Sequence, residues 1–348
     1  MLETSRLAWT FVERHILNPL FIPKSMVVFA GDPQQPDAPT PMARTLRRLL
    51  AEGGYEGQVT WLDIEMTGTL SDLAHSRADL ALIALPPAQT LAALEIVGRI
   101  RCRAALVLSA GLPAAQCTEM HQIARRYGVQ LMGPNSLGFQ RPQLKLNASA
   151  LGPLAAPGPL GLVSQSGALT ASILDWAQHN GVGFSTVVSL GPNTGVDLPQ
   201  VLDFLAMDGQ TQSILVYMEG IRSSRRFMSA LRAAAYAKPV VVMKSGRQPA
   251  GSRAALTHSA SIVGSDEVFD AALRRAGVVR VRVFTQLFSA AKCLASRFRP
   301  VGKRLAIVSN GGGPGVVAAD WAGAIGLDVA QLSLPTREAL KPQLSPLA

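Results

Sequence analysis

The chain of 348 residues is poor in aromatic residues, cysteines and charge. Aromatic residues make up only 5%, so a core must rest on Ala, Val, Leu and Ile. The hydrophobic share of 48% against 16% charged excludes a disordered chain. The three cysteines, Cys102, Cys117 and Cys293, have no metal-ligand spacing and are odd in number. We therefore expect no metal site and a reducing compartment.

Long apolar runs and targeting patterns are also lacking. No uncharged apolar stretch approaches the roughly 20 residues of a membrane span, and MLETSRLAWTFVERHI has no signal-peptide pattern. We expect a cytoplasmic protein that associates with no membrane. The formal charge of +10 favours an anionic partner. Because basic residues are not interleaved with aromatics, a phosphorylated small molecule fits better than nucleic acid.

Two common nucleotide-binding signatures are missing as well. The chain has two glycine-rich turns, at 164–169 and 309–320, and neither contains the Gly-Lys-Ser/Thr of a P-loop. No G-x-G-x-x-G follows the first predicted strand, and no acid is placed for a ribose, which argues against a dinucleotide-dependent oxidoreductase.

What the sequence does contain is an alternation of short apolar runs with helical patterns. The runs of the first half are SMVVFAG (25–31), QVTWLDI (58–64), ADLALIALP (78–86), AALVLSAG (104–111) and VQLMGPN (129–135). Most of these runs close on proline, glycine or a small polar residue, as in parallel α/β sheets covered on both faces. Ligands of such sheets bind outside the carboxyl ends of the strands.

The second half repeats this architecture. The proline- and glycine-rich stretch LNASALGPLAAPGPLG, residues 146–161, predicts a linker. Further strands are predicted to end at residues 191, 220 and 246, with helices over 225–238 and from about Asp266 to Ala276. Another strand, glycine turn and helix begin near residue 300, too little to complete an α/β domain.

Two glycine turns and one histidine are candidates for chemistry. SQSGAL (164–169) and SNGGGPGVVAAD (309–320) each follow a strand and open a helix, where backbone N–H groups can bind an anion. A tight turn needs glycine for steric reasons too. His258 stands among small residues, which leaves its imidazole accessible as a nucleophile, and Glu219 ends the strand SILVYMEG. Both also fit an ordinary surface position.

The ordered motifs GPNSLG, LVSQSGAL, YMEG, KSGR, THSASIVGSDEVFDAALRRAGVVRV and SNGGGPG resemble those of the NDP-forming acyl-CoA synthetases. This superfamily includes succinyl-CoA synthetase and ADP-forming acetyl-CoA synthetase, and the similarity covers about residues 19 to 345. The resemblance implies a helical extension (1–18), a Rossmann-like CoA-binding domain (19–150) and a flavodoxin-like succinyl-CoA synthetase-type domain (151–298). Residues 299–348 would start a second, truncated domain of that type.

The resemblance also implies roles for individual residues. His258 falls on the phosphohistidine that carries a phosphoryl group between acyl phosphate and nucleoside diphosphate, and Glu219 on the carboxylate that holds it. The implied phosphate cradles are two opposing helix starts, one with Ser166 and Gly167, the other with Gly312 and Gly313. The implied CoA groove is lined by Gly31, Pro86, Ser109, Gly111 and Asn135.

Two departures from the family pattern concern CoA. Where the family has a Gly-Ala-Ser turn and a glycine loop, this chain has AGDPQQPDAPTPMARTL, in which Asp32 adds negative charge. Its four prolines lack N–H donors, so we expect weaker phosphate binding there. The family's Asn-Pro pair after the second strand is replaced by LDIE.

The resemblance leaves two functions open. The first is the CoA-ligase part of an NDP-forming acyl-CoA synthetase, in which ATP or ADP with Mg binds to an ATP-grasp subunit or domain. No ATP-grasp segment is expected within this chain. The alternative is a non-catalytic, acyl-CoA-sensing region of a protein lysine acetyltransferase, since the same architecture forms the N-terminal part of such enzymes.

Overall fold

A computed structural model of the chain describes residues 15–31, 39–64, 78–191, 195–248, 265–296 and 301–343. The chain divides into two compact units, one ending at Ser296 and the other starting at Arg297. Most of the predicted helical extension, residues 1–18, lies outside the described ranges. In the ranges just given, no helix combines the length and apolar character needed to cross a membrane.

The first sheet is parallel and confirms the five strands predicted for the first half. Its strand order is β2-β1-β3-β4-β5. The strands are β1 (Ser25–Phe29), β2 (Gln58–Trp61), β3 (Leu80–Ile83), β4 (Ala104–Val107) and β5 (Gln130–Met132). The helices are α1 (Asn18–Phe21), α2 (Pro41–Gly53), α3 (Pro87–Arg99) and α4 (Ala114–Tyr127).

Local sequence explains where these elements begin and end. Every residue of β3 and β4 is buried, which accounts for their continuous apolar runs. Thr40 caps α2 by accepting a hydrogen bond from the N–H of Ala43. Gly54 ends the same helix at a φ of 76°, a left-handed conformation that glycine adopts without steric cost.

The second sheet is mixed, with the order β12-β11-β10-β8-β9-β6-β7. Strands β8 to β12 are parallel, whereas β6 runs antiparallel to both β7 and β9. The strands are β6 (Gly138–Arg141), β7 (Leu146–Ser149), β8 (Pro157–Ser164), β9 (Phe184–Ser189), β10 (Ser213–Met218), β11 (Val240–Lys244) and β12 (Val279–Val281). The helices are α5 (Gly167–His179), α6 (Leu198–Met207), α7 (Ser224–Ala237), α8 (Asp266–Arg275) and α9 (Phe284–Ala295).

The linker predicted over 146–161 is wrong at both ends. Residues 146–149 form β7, which closes a hairpin with β6, and β8 already begins at Pro157. The chain thus passes from the first sheet to the second between β5 and β6. Proline and glycine density marks only the turn between β7 and β8.

One apolar core joins the two sheets. Val28 and Leu82 from the first sheet belong to the same buried cluster as Val188 and Val216 from the second. Separate apolar clusters cover the opposite face of each sheet. The two sheets are therefore one structural body, and a site can extend from one to the other.

The second unit is small and is described by itself. It contains β13 (Arg304–Leu305), α10 (Gly312–Ala324), β14 (Asp328–Val329) and α11 (Leu334–Leu340), followed by a 3-10 turn over Lys341–Gln343. Strands β13 and β14 pair in parallel. The predicted strand, helix and glycine turn are present, but the strand spans only two residues.

Candidate functional site

The carboxyl edge of the first sheet brings together the residues predicted to bind CoA. Ser109 is buried and donates a hydrogen bond of 2.6 Å from its hydroxyl to the carbonyl of Leu85, next to Pro86. The N–H of Asn135 donates to the carbonyl of Ser109 over 3.1 Å. These contacts hold the ends of three neighbouring strands side by side.

Gly31 and Gly111 complete this edge. Gly31 follows β1 with a φ of 74° and Gly111 follows β4 with a φ of 76°, so both adopt a conformation that other residues rarely take. No neighbouring atom would meet a side chain at Gly111, which is exposed. The proline-rich loop itself, residues 32–38, lies outside the described ranges.

The first sheet's edge continues into the edge of the second. An added Cβ at Gly191, just after β9, would lie 2.1 Å from the carbonyl oxygen of Asn135, which shows how closely the two backbones approach. The hydroxyl of Ser136 donates to the carbonyl of Ser189 over 2.6 Å. The predicted CoA groove and the predicted phosphoryl-transfer edge therefore share one boundary.

Glu219 lies at the end of β10 and is only 8% exposed. The side-chain amide of Gln165, in the turn after β8, fixes this strand end. Its Oε1 accepts from the N–H groups of Glu219 (2.7 Å) and Gly220 (3.1 Å), and its Nε2 donates to the carbonyl of Gly220. The sequence interpretation missed Gln165 because it considered only the small residues of SQSGAL, although the amide stood in that motif.

The turn after β8 opens α5 as predicted. Ser166 caps the helix, its Oγ accepting from the N–H of Leu169, and its own N–H donates to Oγ of Ser164. A Cβ at Gly167 would lie 2.3 Å from Cδ1 of Leu137, so close packing also requires this glycine. Because Ser166 Oγ only accepts in this cap, its hydroxyl proton can still be donated, so an anion at this helix start can meet that hydroxyl as well as the N–H groups of the first turn.

The helix start of the second unit repeats the same local geometry. Ser309 Oγ accepts from the N–H of Gly311 and donates to its carbonyl, just as Ser164 does with Ser166. Gly312 and Gly313 are the first two residues of α10, and the helix begins after Gly311. The turns SQSG and SNGG thus share one hydrogen-bond pattern, in which Gln165 and Asn310 occupy equivalent positions.

His258 lies in 249–264, outside the described residues, but the elements on either side are described. Lys244 ends β11 and is buried, and its Nζ lies 5.5 Å from the ring centre of Phe269 in α8. Arg280 contacts the same ring and pairs with Asp266 and Asp270 at 2.5 and 3.0 Å. Strand β11 and the start of α8 are therefore held together.

Burial, modified by neighbouring charges, shifts two pKa values at this edge. Burial raises the pKa of Tyr217, and the nearby charge of Glu219 raises it further. Burial lowers the pKa of Lys244, while Asp266 opposes that shift. Across the part of the chain that the structure describes, no cluster of three or more His, Cys, Asp or Glu could hold a metal ion.

Comparison with known proteins identifies a family model for the second sheet. Residues 157–294 match the family model described as "Succinyl-CoA ligase like flavodoxin domain". This range begins at β8 and ends within α9, so it covers the parallel part of the second sheet and includes both Gln165 and Glu219.

The similarity to proteins of known activity extends over most of the chain. The acetate–CoA ligase [ADP-forming] I of Archaeoglobus fulgidus is 36% identical over 335 residues, which are 92% of this chain. The alpha subunit of acetate–CoA ligase [ADP-forming] I of Pyrococcus furiosus is 34% identical over 329 residues, or 89% of this chain. This chain spans 48% of the Archaeoglobus protein and 70% of the Pyrococcus subunit.

A solved structure shows the same fold. The acetyl-coenzyme A synthetase 1 of Ca. Korarchaeum cryptofilum, in complex with phosphate and ADP, matches 95% of this chain and 74% of its own with a TM-score of 0.84 and 27% identity. Sequence and fold agree, and the chain belongs to the NDP-forming acyl-CoA synthetase superfamily.

Proposed function

We propose that this chain is the CoA-binding and ligase part of an acyl-CoA synthetase that forms a nucleoside triphosphate. The reaction is acyl-CoA, phosphate and NDP to free acid, CoA and NTP, and it can run in reverse. The observation that carries the proposal is the continuous edge from Ser109 and Asn135 to Gly191, Gln165 and Glu219. A CoA groove on the first part of this edge would lie next to the buried carboxylate of Glu219 and the start of α5, which supports the proposal.

In the proposed steps, each bond that forms is matched by a bond that breaks. A phosphate oxygen attacks the thioester carbon, the carbon–sulfur bond breaks, and acyl phosphate and CoA result. A ring nitrogen of His258 then attacks the phosphorus and the free carboxylate leaves. The terminal phosphate oxygen of an NDP takes the phosphoryl group from His258. N–H groups at helix starts would stabilise the anionic phosphohistidine, and Glu219 would orient the ring.

The nucleotide and the partner are part of the proposal. We propose that ADP or ATP, with Mg, binds to an ATP-grasp subunit or domain that works with this chain. The Pyrococcus relative is itself an alpha subunit, which supports a second component. The alternative of an acyl-CoA-sensing region of a lysine acetyltransferase has no support from the relatives named above, which are ligases or synthetases.

The half-reaction with phosphate tests the proposal without any partner. The full chain is incubated with acetyl-CoA and ³²P-orthophosphate, and covalent label is measured. We expect acid-labile, base-stable label that is lost in His258→Asn. His179→Asn is the matched control, because His179 is exposed on α5 and its Nδ1 lies 2.8 Å from the carbonyl oxygen of Asp175 in the same helix. Label that persists in His258→Asn, or no label from acetyl-, propionyl- or succinyl-CoA, contradicts the proposed function.

A further inference from the structure

A small cavity lies at the carboxyl edge of the second sheet, between the ends of β9 and β10. Gly191 borders it after β9, and Gly220, the residue that follows Glu219, borders it after β10. The same Gly191 approaches the carbonyl oxygen of Asn135 at the edge of the first sheet. A thioester that crosses from the predicted CoA groove to Glu219 therefore passes this cavity.

Five apolar side chains contribute to the walls of the cavity. Leu190 follows β9, Leu198 and Pro199 open α6, Ile221 follows β10, and Phe227 lies near the start of α7. Leu190, Leu198 and Phe227 are at most 3% exposed, whereas Ile221 is half-buried. Such surroundings favour an aliphatic chain and disfavour an ionised group, because a charge loses its hydration there.

The polar side chains that border the cavity are engaged in holding the surrounding elements. Asp197 caps α6 and pairs with Arg226 at 3.3 Å, and Ser223 caps α7. The amide of Gln165 bonds the backbone at the end of β10. Arg222 also borders the cavity and is exposed. The apolar residues are thus left to contact a ligand.

The size of the cavity limits what it can hold. Its volume is about 30 Å³. A cavity needs about 10–15 Å³ for one water-sized group, so about two such groups fit. That is the length of the acetyl or propionyl chain beyond its carbonyl carbon.

We propose that this cavity receives the acyl chain of acyl-CoA and that Ile221 and Phe227 restrict it to a short, uncharged chain such as acetyl or propionyl. The inference rests on the proposed function for the identity of the ligand. It adds the residues that select the acyl group, neither of which any sequence motif singled out.

The dependence of labelling on chain length tests this. The full chain is incubated with ³²P-orthophosphate and subsaturating acetyl-, propionyl-, butyryl- or hexanoyl-CoA, and the initial rate of covalent labelling is measured. In the wild type we expect the rate to fall beyond propionyl-CoA. Ile221→Ala should raise the ratio of the butyryl-CoA rate to the acetyl-CoA rate by about 10-fold or more, since one methylene in an apolar pocket is discriminated by about 10- to 200-fold.

Two further variants make the test specific. Phe227→Leu should raise the same ratio, because it shortens another wall of the cavity. Met228→Ala is the matched control, since Met228 is half-buried on α7 and packs against the same core outside the cavity. The affinity for CoA, measured by calorimetry, should be the same in Ile221→Ala as in the wild type, because CoA carries no acyl chain.

Each outcome decides for or against the inference. It is overturned by an unchanged ratio in Ile221→Ala, by an equal rise in Met228→Ala, or by a loss of CoA affinity in Ile221→Ala. It is also overturned if the wild type uses hexanoyl-CoA as fast as acetyl-CoA. Faster labelling from succinyl-CoA than from butyryl-CoA would assign the cavity to a charged chain and overturn it too.

A folding defect does not end the test. Should Ile221→Ala not fold, Ile221→Val must give a smaller shift in the same direction. A wild-type chain that takes no label from any of these acyl-CoA esters contradicts the proposed function itself, and the inference with it.

Discussion

Gln165 shows how one neutral side chain can position a charged one. Three hydrogen bonds join its amide to the backbone of Glu219 and Gly220. Because Gln165 itself lies directly before Ser166, the strand end that carries the carboxylate and the start of α5 form one rigid piece. The amide supplies both an acceptor and a donor, which a residue of another type does not offer at that distance.

Replacing Gln165 by leucine is expected to destabilise the chain and to slow the proposed phosphoryl transfer. Two backbone N–H groups lose their acceptor, at about 1–3 kcal/mol for each one left buried and unpaired. Denaturant unfolding measures the stability, and the rate of ³²P labelling from acetyl-CoA and phosphate measures the effect on Glu219. We expect both to fall.

Two further variants make this prediction specific. Gln178→Leu changes an exposed glutamine of α5 and should alter stability by no more than about 0.5 kcal/mol. Gln165→Glu keeps an acceptor for both N–H groups and should retain more stability than the leucine variant. If all three variants match the wild type, Gln165 does not fix the end of β10.

At the scale of elements, the parallel strands could be predicted and the hairpin β6–β7 could not. Strands such as β3 are continuous apolar runs between turn residues, so the local sequence pattern is enough to predict them. The hairpin instead buries Gln140, Arg141 and Asn147, which are polar. Gln140 is satisfied by the backbone of Pro153 and Ala155, contacts that depend on the folded chain and leave no local pattern.

The same physical limit applies to the candidate site. Glycine turns and strand ends predicted Ser166, Glu219 and the Ser109–Asn135 edge, because the carboxyl ends of parallel strands meet at one edge. Gln165 was missed, since its hydrogen bonds to the end of β10 arise only where β8 and β10 lie side by side in the folded sheet.

The ion pair between Arg141 and Asp208 joins β6 to the end of α6 and predicts an acid-sensitive contribution to stability. Its side chains are 3% and 4% exposed, with Nη1 of Arg141 2.7 Å from Oδ2 of Asp208. Burial alone would raise the pKa of Asp208, but bonds from Arg141 and Thr211 outweigh it, and the pKa is lowered. The pair therefore stabilises the fold fully above the ordinary pKa of about 4 and loses that contribution as the pH falls through the lowered pKa.

Arg141→Met is expected to cost about 3–5 kcal/mol at pH 7, because it leaves a buried carboxylate without its cation. Below pH 4 the free energy of unfolding should fall less steeply in Asp208→Asn than in the wild type. Both are measured by denaturant unfolding between pH 7 and pH 3. The matched control is Arg126→Met, whose exposed pair with Glu95 contributes about 1 kcal/mol or less. An Arg141→Met cost equal to that of the control would contradict the assignment.

At the scale of the whole molecule, the two units differ in how much apolar surface they bury. In the first unit, strands such as Ser213–Met218 are buried along their full length. In the second, Ala322 is the buried side chain among residues 301–343, while Val308 is 97% and Trp321 68% exposed. Because burial of apolar area is the main source of stability, the second unit should open far more readily than the first.

Hydrogen exchange followed by mass spectrometry measures this difference on the intact chain. Amides of α10 are expected to exchange at least about 100-fold faster than those of β10, which corresponds to an opening free energy lower by about 2.7 kcal/mol or more. The long helix α7 is the internal control, since it packs on α6 through Phe227 and Leu231 and should be protected like the sheet. Equal protection of α10 and β10 would contradict the prediction, because the exposed valines and Trp321 would then have to be covered in solution. Fast exchange confined to α10 and its neighbours would show that the turn SNGG, a predicted phosphate cradle, is held by local hydrogen bonds such as Ser309–Gly311. Its counterpart SQSG is instead held by a core.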